Sequence, residues 1–520
     1  MICNFFKLFA TISSVVSEFK KRKILFDRKQ GGELNVLTCF PNTYEIAMAS
    51  LGFQTVFKLF ANNPKTHTFR YFTNYAENPK ISQADNLDLV TISISWELDF
   101  FNLFEILQSL NIPLKAKDRN EKHPLVIGGG PVLTANPEPW AEFFDLILIG
   151  DSENLVDELI DKACQTKNPE DFADIAGVYA CQSTKQQYVA RQKSSKNELA
   201  VSSVIAPDAC WDNVGLIEVV RSCPEMCRFC LASYLSLPFR APDFEADLIK
   251  KADFLLEHTN NIGLLRASVT QHPEFMQLLE YLAKHENKPR VQIASVRAAT
   301  VTKEMCELLS STGSKNLTIA IESGSERLRD IVNKKLSQEA ILNAAQAASA
   351  GGIKSLKLYG MVGIPFEIQE DLEATIELLS EIKKQNKALK IVWGCSVFTP
   401  KAQTPFQDYG IDQEAEKKLK HMIKALRPLG IEVREESFKW AQVQALISRG
   451  DRSLADVFIK IWQSKKTGFN IYKKMLDPKL YQHFVFDTWN TDDKYPWQIL
   501  MNEKQSKILQ EHKQTALELI

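Results

Sequence analysis

Three cysteines lie close together in the stretch Arg221-Ser-Cys-Pro-Glu-Met-Cys-Arg-Phe-Cys230. Cys223, Cys227 and Cys230 follow the spacing C-x3-C-x2-C, directly after the apolar run 214–220. Three thiolates at this spacing can hold an iron–sulfur cubane, and a cubane with three cysteine ligands leaves one iron open to a reactant. A zinc site or three buried thiols are the alternatives. Zinc usually takes four ligands, however, and no further C-x-x-C or H-x3-H pair lies nearby as a partner.

The cysteine spacing resembles the signature of the radical S-adenosylmethionine (SAM) superfamily. The resemblance implies that Cys223, Cys227 and Cys230 hold a [4Fe–4S] cluster whose open iron binds SAM, and that one electron from the cluster cleaves SAM. It also implies a reductant protein, such as a flavodoxin or ferredoxin, as a partner. Phe229 matches the aromatic position that this superfamily places against adenine.

Residues 206–430 alternate six strand candidates with helices. This alternation predicts a partial (β/α)6 TIM-like barrel, the radical SAM core. The active site of such a barrel lies at the carboxyl ends of its strands, and the cysteine loop follows the first strand. By resemblance, the strand-end residues expected to contact SAM are Ala267, Ser268, Ser295, Arg297, Glu322, Gly363 and Pro365.

Several of these positions also have ordinary structural explanations. Ser295 and Arg297 lie two apart on one strand and therefore face the same side, where the guanidinium can bind the SAM carboxylate. A surface salt bridge is the alternative for this arginine. Ala267 and Ser268 stand where the superfamily often carries G-G-E, and an ordinary strand exit is their alternative. Phe366 replaces the second glycine of the fifth-strand motif G-x-P-G-E.

Residues 35–205 also alternate strands with helices, which predicts a doubly wound, Rossmann-like parallel sheet. This half resembles the cobalamin-binding-type domain that precedes many radical SAM barrels. By that resemblance Gly128, Gly129 and Gly130 are candidate cobalamin contacts, and a tight turn is their alternative. The D-x-H-x-x-G motif of a lower axial histidine is missing, because residues 45–52 read E-I-A-M-A-S-L-G. Either cobalamin binds without a histidine ligand, or the fold is kept without this cofactor.

The two ends of the chain complete the domain plan. Residues 1–34 are predicted to be an N-terminal helix and lead-in, because the apolar stretch 1–20 predicts an amphipathic helix packed on the protein. A weak interfacial anchor is the alternative for this helix. Residues 431–520 are predicted to be a small helical region packed by its tryptophans. This tail lacks the strand alternation of an RNA-binding β-barrel, and no clear nucleic-acid-binding domain is predicted.

Composition limits the partners and the compartment. The 520 residues carry 63 Lys and Arg against 64 Asp and Glu, a net charge of −1, which gives no bulk attraction to nucleic acid. The 10 cysteines are too sparse for a disulfide scaffold and favour a reducing cytoplasm. Those outside the loop show no second ligand spacing, so no auxiliary cluster is expected. No uninterrupted apolar stretch is long enough to predict a membrane span.

Together these patterns predict a radical SAM enzyme that modifies a substrate which the motifs do not identify. Methyl transfer is expected if cobalamin binds, and radical rearrangement or oxidation is expected without it. The alternative is a non-catalytic iron–sulfur or cobalamin-type redox sensor or binding protein. The candidate SAM contacts at successive strand ends favour the enzyme, because a sensor does not need them.

Overall fold

The computed structural model of the protein describes residues 23–29, 31–78, 84–466, 468–490 and 493–520. The helix predicted for residues 1–20 lies outside this part of the chain. The strands of the first half are β1 (Lys23–Ile24), β2 (Leu34–Phe40), β3 (Thr66–Phe72), β4 (Tyr75–Ala76), β5 (Leu89–Ser93), β6 (Leu125–Gly129), β7 (Leu146–Leu148), β8 (Val178–Ala180) and β9 (Val204–Ile205). The helices of this half are α1 (Tyr44–Ala47), α2 (Leu51–Asn62), α3 (Phe100–Ser109), α4 (Pro131–Ala135) and α5 (Val156–Ala163).

Most strands of the first half form one sheet in the order β4-β3-β2-β5-β6-β7-β8. The five central strands, β3, β2, β5, β6 and β7, are parallel to one another. The short strands at the two edges, β4 and β8, are antiparallel to their neighbours. The central strands are apolar and largely buried, as expected for a parallel sheet covered on both faces. The predicted doubly wound domain is therefore confirmed. Its strand order reverses between β2 and β5, and such a reversal opens a crevice at the carboxyl ends of the strands.

The second half contains a run of parallel strands separated by helices. The strands are β10 (Val214–Glu218), β11 (Asn261–Leu265), β12 (Arg290–Ile293), β13 (Asn316–Glu322), β14 (Ser355–Val362), β15 (Lys390–Val397) and β16 (Glu432–Glu435). The helices up to residue 430 are α6 (Leu231–Leu235), α7 (Lys250–Leu256), α8 (Phe275–Lys284), α9 (Lys303–Ser311), α10 (Glu326–Ile331), α11 (Gln338–Ala350), α12 (Gln369–Gln385) and α13 (Ala415–Leu426).

These strands form two parallel sheets, β10-β11-β12 and β13-β14-β15-β16. A bridge between Val296 and Ile319 joins the two sheets into one curved wall. The strands β10 to β15 are the six that the sequence predicts, and they confirm the partial barrel. All their carboxyl ends therefore lie at one edge, where the cysteine loop begins.

One short strand in the C-terminal region was not predicted. β16 lies within residues 431–520, and the sequence indicated only helices there. Its four residues include one buried side chain, Val433, so they show no alternation that a sequence could reveal. Parallel pairing with β15 makes this segment a strand.

The rest of the C-terminal region is helical, as predicted. Its helices are α14 (Phe438–Arg449), α15 (Ala455–Gln463), α16 (Asn470–Met475), α17 (Pro478–Val485) and α18 (Glu503–Leu517). Stacked rings of Trp489 and Trp497 pack this region, and the guanidinium of Arg449 lies 3.9 Å from the ring centroid of Trp489. Across the described residues, every helix is too short or too polar to traverse a lipid bilayer.

Candidate functional site

The loop that carries the three cysteines follows β10. Met226, in the middle of the loop, has a φ of 56° and turns the chain back on itself. The backbone N–H of Cys230 donates to the carbonyl of Cys227 at 2.9 Å. Burial raises the pKa of the Cys227 thiol to about 12; Lys334 opposes this rise, and Cys230 and Cys223 add to it. The three thiols therefore lie within electrostatic reach of one another.

The chemistry of these donors fits an iron–sulfur cluster. In the described residues, no three His, Cys, Asp or Glu side chains are arranged around a point that could hold a single metal ion. A [4Fe–4S] cluster does not need such an arrangement, because each thiolate binds a different iron. Three free thiols on one short loop, with the ammonium of Lys334 beside two of them, match the ligands that the cluster requires.

Side chains that follow β12 and α10 hold the cysteine loop. Arg297, after β12, forms an ion pair with Glu225 in the loop, with 3.1 Å between Nη2 and Oε2. Asn333 Nδ2 donates to the carbonyls of Glu225 and Met226, each at 2.9 Å. Ser295 is half-buried just before Arg297. The structure thus gives Arg297 a role in positioning the loop, and contacts of Ser295 and Arg297 with SAM stay predictions.

Glu322, at the end of β13, has an uncommon backbone conformation. Its φ is 68°, and the register with β14 shifts at this position. A glutamate in this conformation is strained, and such strain is found mainly at functional positions. Its buried carboxylate accepts a hydrogen bond from Lys334 Nζ at 2.8 Å. The lysine that faces the thiols therefore also binds Glu322, which brings this carboxylate to the cysteine loop.

Gln271 links the end of β11 to the cysteine loop. The hydroxyl of Ser268, which is buried, donates to Gln271 Oε1. Gln271 Nε2 donates to Glu225 at 2.5 Å, and Gln271 Oε1 accepts from the thiol of Cys223 at 3.7 Å. Ala267 is exposed beside Ser268. The sequence did not mark Gln271, because a lone glutamine shortly after a strand is too common to single out.

The end of β14 provides a backbone turn beside an apolar cluster. Phe229 and Phe366 belong to this cluster. Gly363 has a φ of 71°, and its N–H donates to Glu367 Oε2 at 2.7 Å. Pro365 is half-buried in the same turn. Phe366 has a φ of 70°, so it adopts the left-handed conformation of the glycine that it replaces.

A cleft of about 210 Å³ lies at the carboxyl ends of β5, β6 and β7. Gly129 lines it, and a Cβ added there would meet no atom within 4 Å. Thr91 Oγ1, in the same wall, is buried and has no hydrogen-bond partner in the described structure. The backbone at Gly130 has a φ of 112°, a conformation that favours glycine. A Cβ added at Gly128 would lie 2.6 Å from Leu133 Cδ1, so this glycine is needed for packing. The open glycine and the unpaired hydroxyl leave space and one hydrogen-bonding group for a ligand at this cleft, and the described lining contains no histidine.

The wall of this cleft continues into the cysteine loop. Arg221, two residues before Cys223, lines the cleft. Its guanidinium donates to Glu218 of β10 at 2.7 Å and to Glu153 of the first domain at 2.8 Å. Arg266 also lines the cleft and binds Glu218 at 2.6 Å. Burial alone would raise the pKa of Glu218, but Arg266 and Arg221 lower it to about 2, so the carboxylate is held charged between them.

Two family models match the chain. The model described as radical SAM proteins, N-terminal, matches residues 52–189, and the model described as radical SAM superfamily matches residues 217–379. The chain belongs to the radical SAM superfamily. The second match spans all three cysteines and the strand ends from β10 to β14. Membership in this superfamily implies a [4Fe–4S] cluster and SAM.

Several relatives share long parts of the chain. An uncharacterized protein of Methanocaldococcus jannaschii is 29% identical over 425 residues, which are 81% of this chain and 90% of that protein. The tRNA-2-methylthio-N(6)-dimethylallyladenosine synthase of Carboxydothermus hydrogenoformans is 21% identical over 42% of this chain and 51% of its own length. The chain thus spans nearly all of the first relative and about half of the second.

Solved structures with a similar fold are radical SAM enzymes. The radical SAM methyltransferase TsrM from Kitasatospora setae superposes with a TM-score of 0.53 at 11% identity, over 93% of this chain and 98% of its own. The cobalamin-dependent SAM radical enzyme OxsB superposes with a TM-score of 0.53 at 17% identity, over 69% of this chain and 52% of its own. At these identities the likeness concerns the fold, and it confirms the predicted architecture.

Proposed function

We propose that this superfamily member is an enzyme that transfers a methyl group to an unidentified substrate, with a [4Fe–4S] cluster, SAM and cobalamin as its cofactors. The observation that carries this proposal is the position of Arg221. It lines the same cleft as Gly129 and lies two residues before Cys223. The proposed cobalamin and cluster sites therefore adjoin. Close placement of the reacting groups can lower the barrier to group transfer by several kcal/mol, about 7–11 in well-oriented cases.

The side chains of this protein would bind and orient these groups. When bound, the cluster supplies an electron to SAM and cobalamin carries a methyl group. Lys334 compensates part of the thiolate charge, and Glu322 keeps that lysine in place. The residues proposed to hold the cluster are Cys223, Cys227 and Cys230. The residues proposed to contact SAM are Phe229, Ala267, Ser268, Ser295, Arg297, Glu322, Gly363 and Pro365.

The backbone conformations of two residues at the strand ends favour an enzyme over a redox sensor. Glu322 and Phe366 both keep left-handed backbones, although each conformation costs free energy for a residue with a side chain. A protein that only reported the redox state of its cluster would not need two strained positions beside the opening. The names of similar proteins support methyl transfer in particular, since they include TsrM and a methyltransferase of Pyrococcus horikoshii.

Anaerobic reconstitution of the full chain with iron and sulfide tests the enzyme. We expect the reduced protein to convert SAM into 5′-deoxyadenosine or S-adenosylhomocysteine. Formation of neither product by a protein with an intact cluster would contradict the proposal. Cys227→Ala should lose the cluster spectrum and most of the bound iron. Cys164→Ala, at a half-buried cysteine outside the loop, is the matched control and should keep both.

The cobalamin part of the proposal has its own test. Protein purified in the presence of cobalamin should retain it, and the absorption spectrum reports this directly. A chain that cleaves SAM but retains no cobalamin would restrict the function to radical rearrangement or oxidation. Superfamily members generally need a reductant, and a flavodoxin or ferredoxin in the cytoplasm is the proposed electron donor.

A further inference from the structure

The concave wall of the partial barrel is polar and open at the middle of β14. Along this strand Leu356 and Leu358 are buried, whereas Lys357 is half-buried and Tyr359 is 42% exposed. Successive side chains of a strand point to opposite faces, so Lys357 and Tyr359 share the concave face. In a complete barrel this interior is filled by branched apolar side chains. Here Lys357 and Tyr359 remain accessible to solvent on that face.

A glycine on the next strand makes room for the lysine and the tyrosine. Gly394 of β15 lies opposite Tyr359 in the parallel register. A Cβ at Gly394 would lie 2.8 Å from Tyr359 Cδ1 and 3.5 Å from Lys357 Cε. Both side chains therefore lie across Gly394 on the same face of the sheet. Any larger residue there would displace them.

Lys357 and Tyr359 present hydrogen-bond donors to the barrel interior. The ammonium of Lys357 donates to the hydroxyl of Tyr359 and lies 4.2 Å from the centroid of its ring. No carboxylate of the described residues forms an ion pair with Lys357 within 4.0 Å, whereas Lys390 on β15 has Glu432 at 2.6 Å. Glu436 acts on Lys357 from farther away: burial raises the pKa of this carboxyl, and Lys401 and Lys357 oppose the rise. A lysine has three N–H donors, and a tyrosine hydroxyl that accepts one of them still has its own proton to donate. The pair thus offers three donors and a positive charge.

We propose that Lys357 and Tyr359 bind an anionic group of the substrate, a carboxylate or a phosphate, inside the barrel. An anion would supply the charged acceptors within hydrogen-bond distance that these three donors lack, and charge-assisted hydrogen bonds are the strong ones. The inference rests on the proposed function, because it assigns this surface to the substrate of that reaction.

The place of the pair also limits the shape of the substrate. Tyr359 lies four residues before Gly363, where the proposed SAM contacts of β14 begin. At the rise of a parallel strand this separation is about 13 Å. The anionic group and the reacting carbon of the substrate are therefore several bonds apart. A small acid such as acetate would not reach from one to the other.

Competitive acylation of lysines in the reconstituted full chain tests this assignment. The protein is treated with an amine-reactive ester at constant ionic strength, with inorganic phosphate, acetate or chloride as the added anion, and each lysine is followed by peptide mass spectrometry. We expect phosphate or acetate to slow the acylation of Lys357 by about threefold relative to chloride, the effect of one solvent-accessible ion pair. Lys390 is the control and should react at the same rate in all three anions.

The outcomes separate the sources of the anionic group. Protection by phosphate alone assigns a phosphorylated substrate, protection by acetate alone assigns a carboxylate, and protection by both supports the shared chemistry. No protection of Lys357, or equal protection of Lys390, overturns the proposal. Tyr359→Phe should weaken the protection, because it removes one donor. Tyr188→Phe, at another tyrosine that is 42% exposed, should not.

The acylation rate of Lys357 can be measured whether or not the protein cleaves SAM. Protection of Lys357 in a protein that cleaves no SAM would contradict the proposed enzyme and leave the anion site standing. SAM cleavage by a protein in which Lys357 is unprotected would support the proposed enzyme and contradict the anion site. The two proposals therefore fail separately.

Discussion

Gly128 and Gly129 are neighbours on β6 with different surroundings. An added Cβ would lie 2.6 Å from Leu133 Cδ1 at Gly128 but would meet nothing within 4 Å at Gly129. We expect Gly128→Ala to lower the free energy of unfolding by about 1–3 kcal/mol, because it overpacks the core. Gly129→Val should leave this free energy nearly unchanged and abolish retention of cobalamin, because its side chain enters the cleft.

Urea unfolding and the cobalamin content of the purified protein measure these two effects. Each variant is the control for the other, because the two glycines are neighbours on one strand and an added Cβ has open space at only one of them. A Gly129→Val protein that keeps as much cobalamin as the native protein would show that the cleft is not where the cofactor binds.

Phe366 is a second position where backbone conformation predicts an unusual result. Alanine normally stabilises a protein relative to glycine, but a left-handed conformation costs a residue with a Cβ about 1–2 kcal/mol. Since Phe366 has a φ of 70°, we expect Phe366→Gly to be about 1 kcal/mol more stable than Phe366→Ala. Both variants lose the ring contact with Tyr409, at 5.2 Å between centroids, so this loss cancels in the comparison. Urea unfolding of the two variants side by side measures the difference, and the reverse order would contradict the strained backbone.

At the scale of secondary-structure elements, the cysteine loop is held between two helices by Arg228. Its guanidinium donates to the carbonyl of His512 on α18 at 2.7 Å, and to those of Asp330 and Ile331 at the end of α10 at 2.9 and 2.7 Å. Arg228→Lys keeps the positive charge but loses the planar guanidinium, whose several N–H groups reach all three carbonyls. The loss of one such charged hydrogen bond costs about 1.5–3 kcal/mol, so we expect a chelator to remove iron roughly tenfold faster.

Absorbance of the reconstituted protein during chelation measures this rate. Arg434→Lys is the control, because Arg434 is exposed on β16. Equal rates in Arg228→Lys and the native protein would mean that α18 does not stabilise the loop.

Elements with a strong internal pattern were predictable, and elements that depend on a distant partner were not. The strand Asn261–Leu265 appears in the sequence as an apolar run, as buried parallel strands do, and Ser355–Val362 appears as an alternation of buried apolar and more exposed residues. β16 was missed because only its pairing with β15 defines it. The same reason applies to side chains: the cysteine spacing is local, whereas the contacts of Gln271 and Arg228 join segments far apart in the chain.

At the scale of the whole molecule, an ion network joins the first domain to the barrel. Asp151 and Glu153 come from the first domain, and Glu218 and Arg221 come from β10 and the start of the cysteine loop. Arg240 joins the network through Asp151 at 2.8 Å. This network lies between the cleft and the cysteines. It therefore links the first domain to the start of the cysteine loop through charged side chains.

Arg221→Met tests whether this network fixes the domains to each other. The substitution keeps much of the apolar stem but leaves the carboxylate of Glu218, which is fully buried, with less compensating charge. Removal of one partner of a buried ion pair costs about 3 kcal/mol or more. We expect the free energy of unfolding to fall by that amount in urea, and limited proteolysis to cut faster within residues 191–203, which lie between β8 and β9. Arg427→Met, at an exposed arginine, is the control. If Arg221→Met is as stable and as resistant as this control, apolar packing alone holds the domains, and the network has only a local role in placing the cysteine loop.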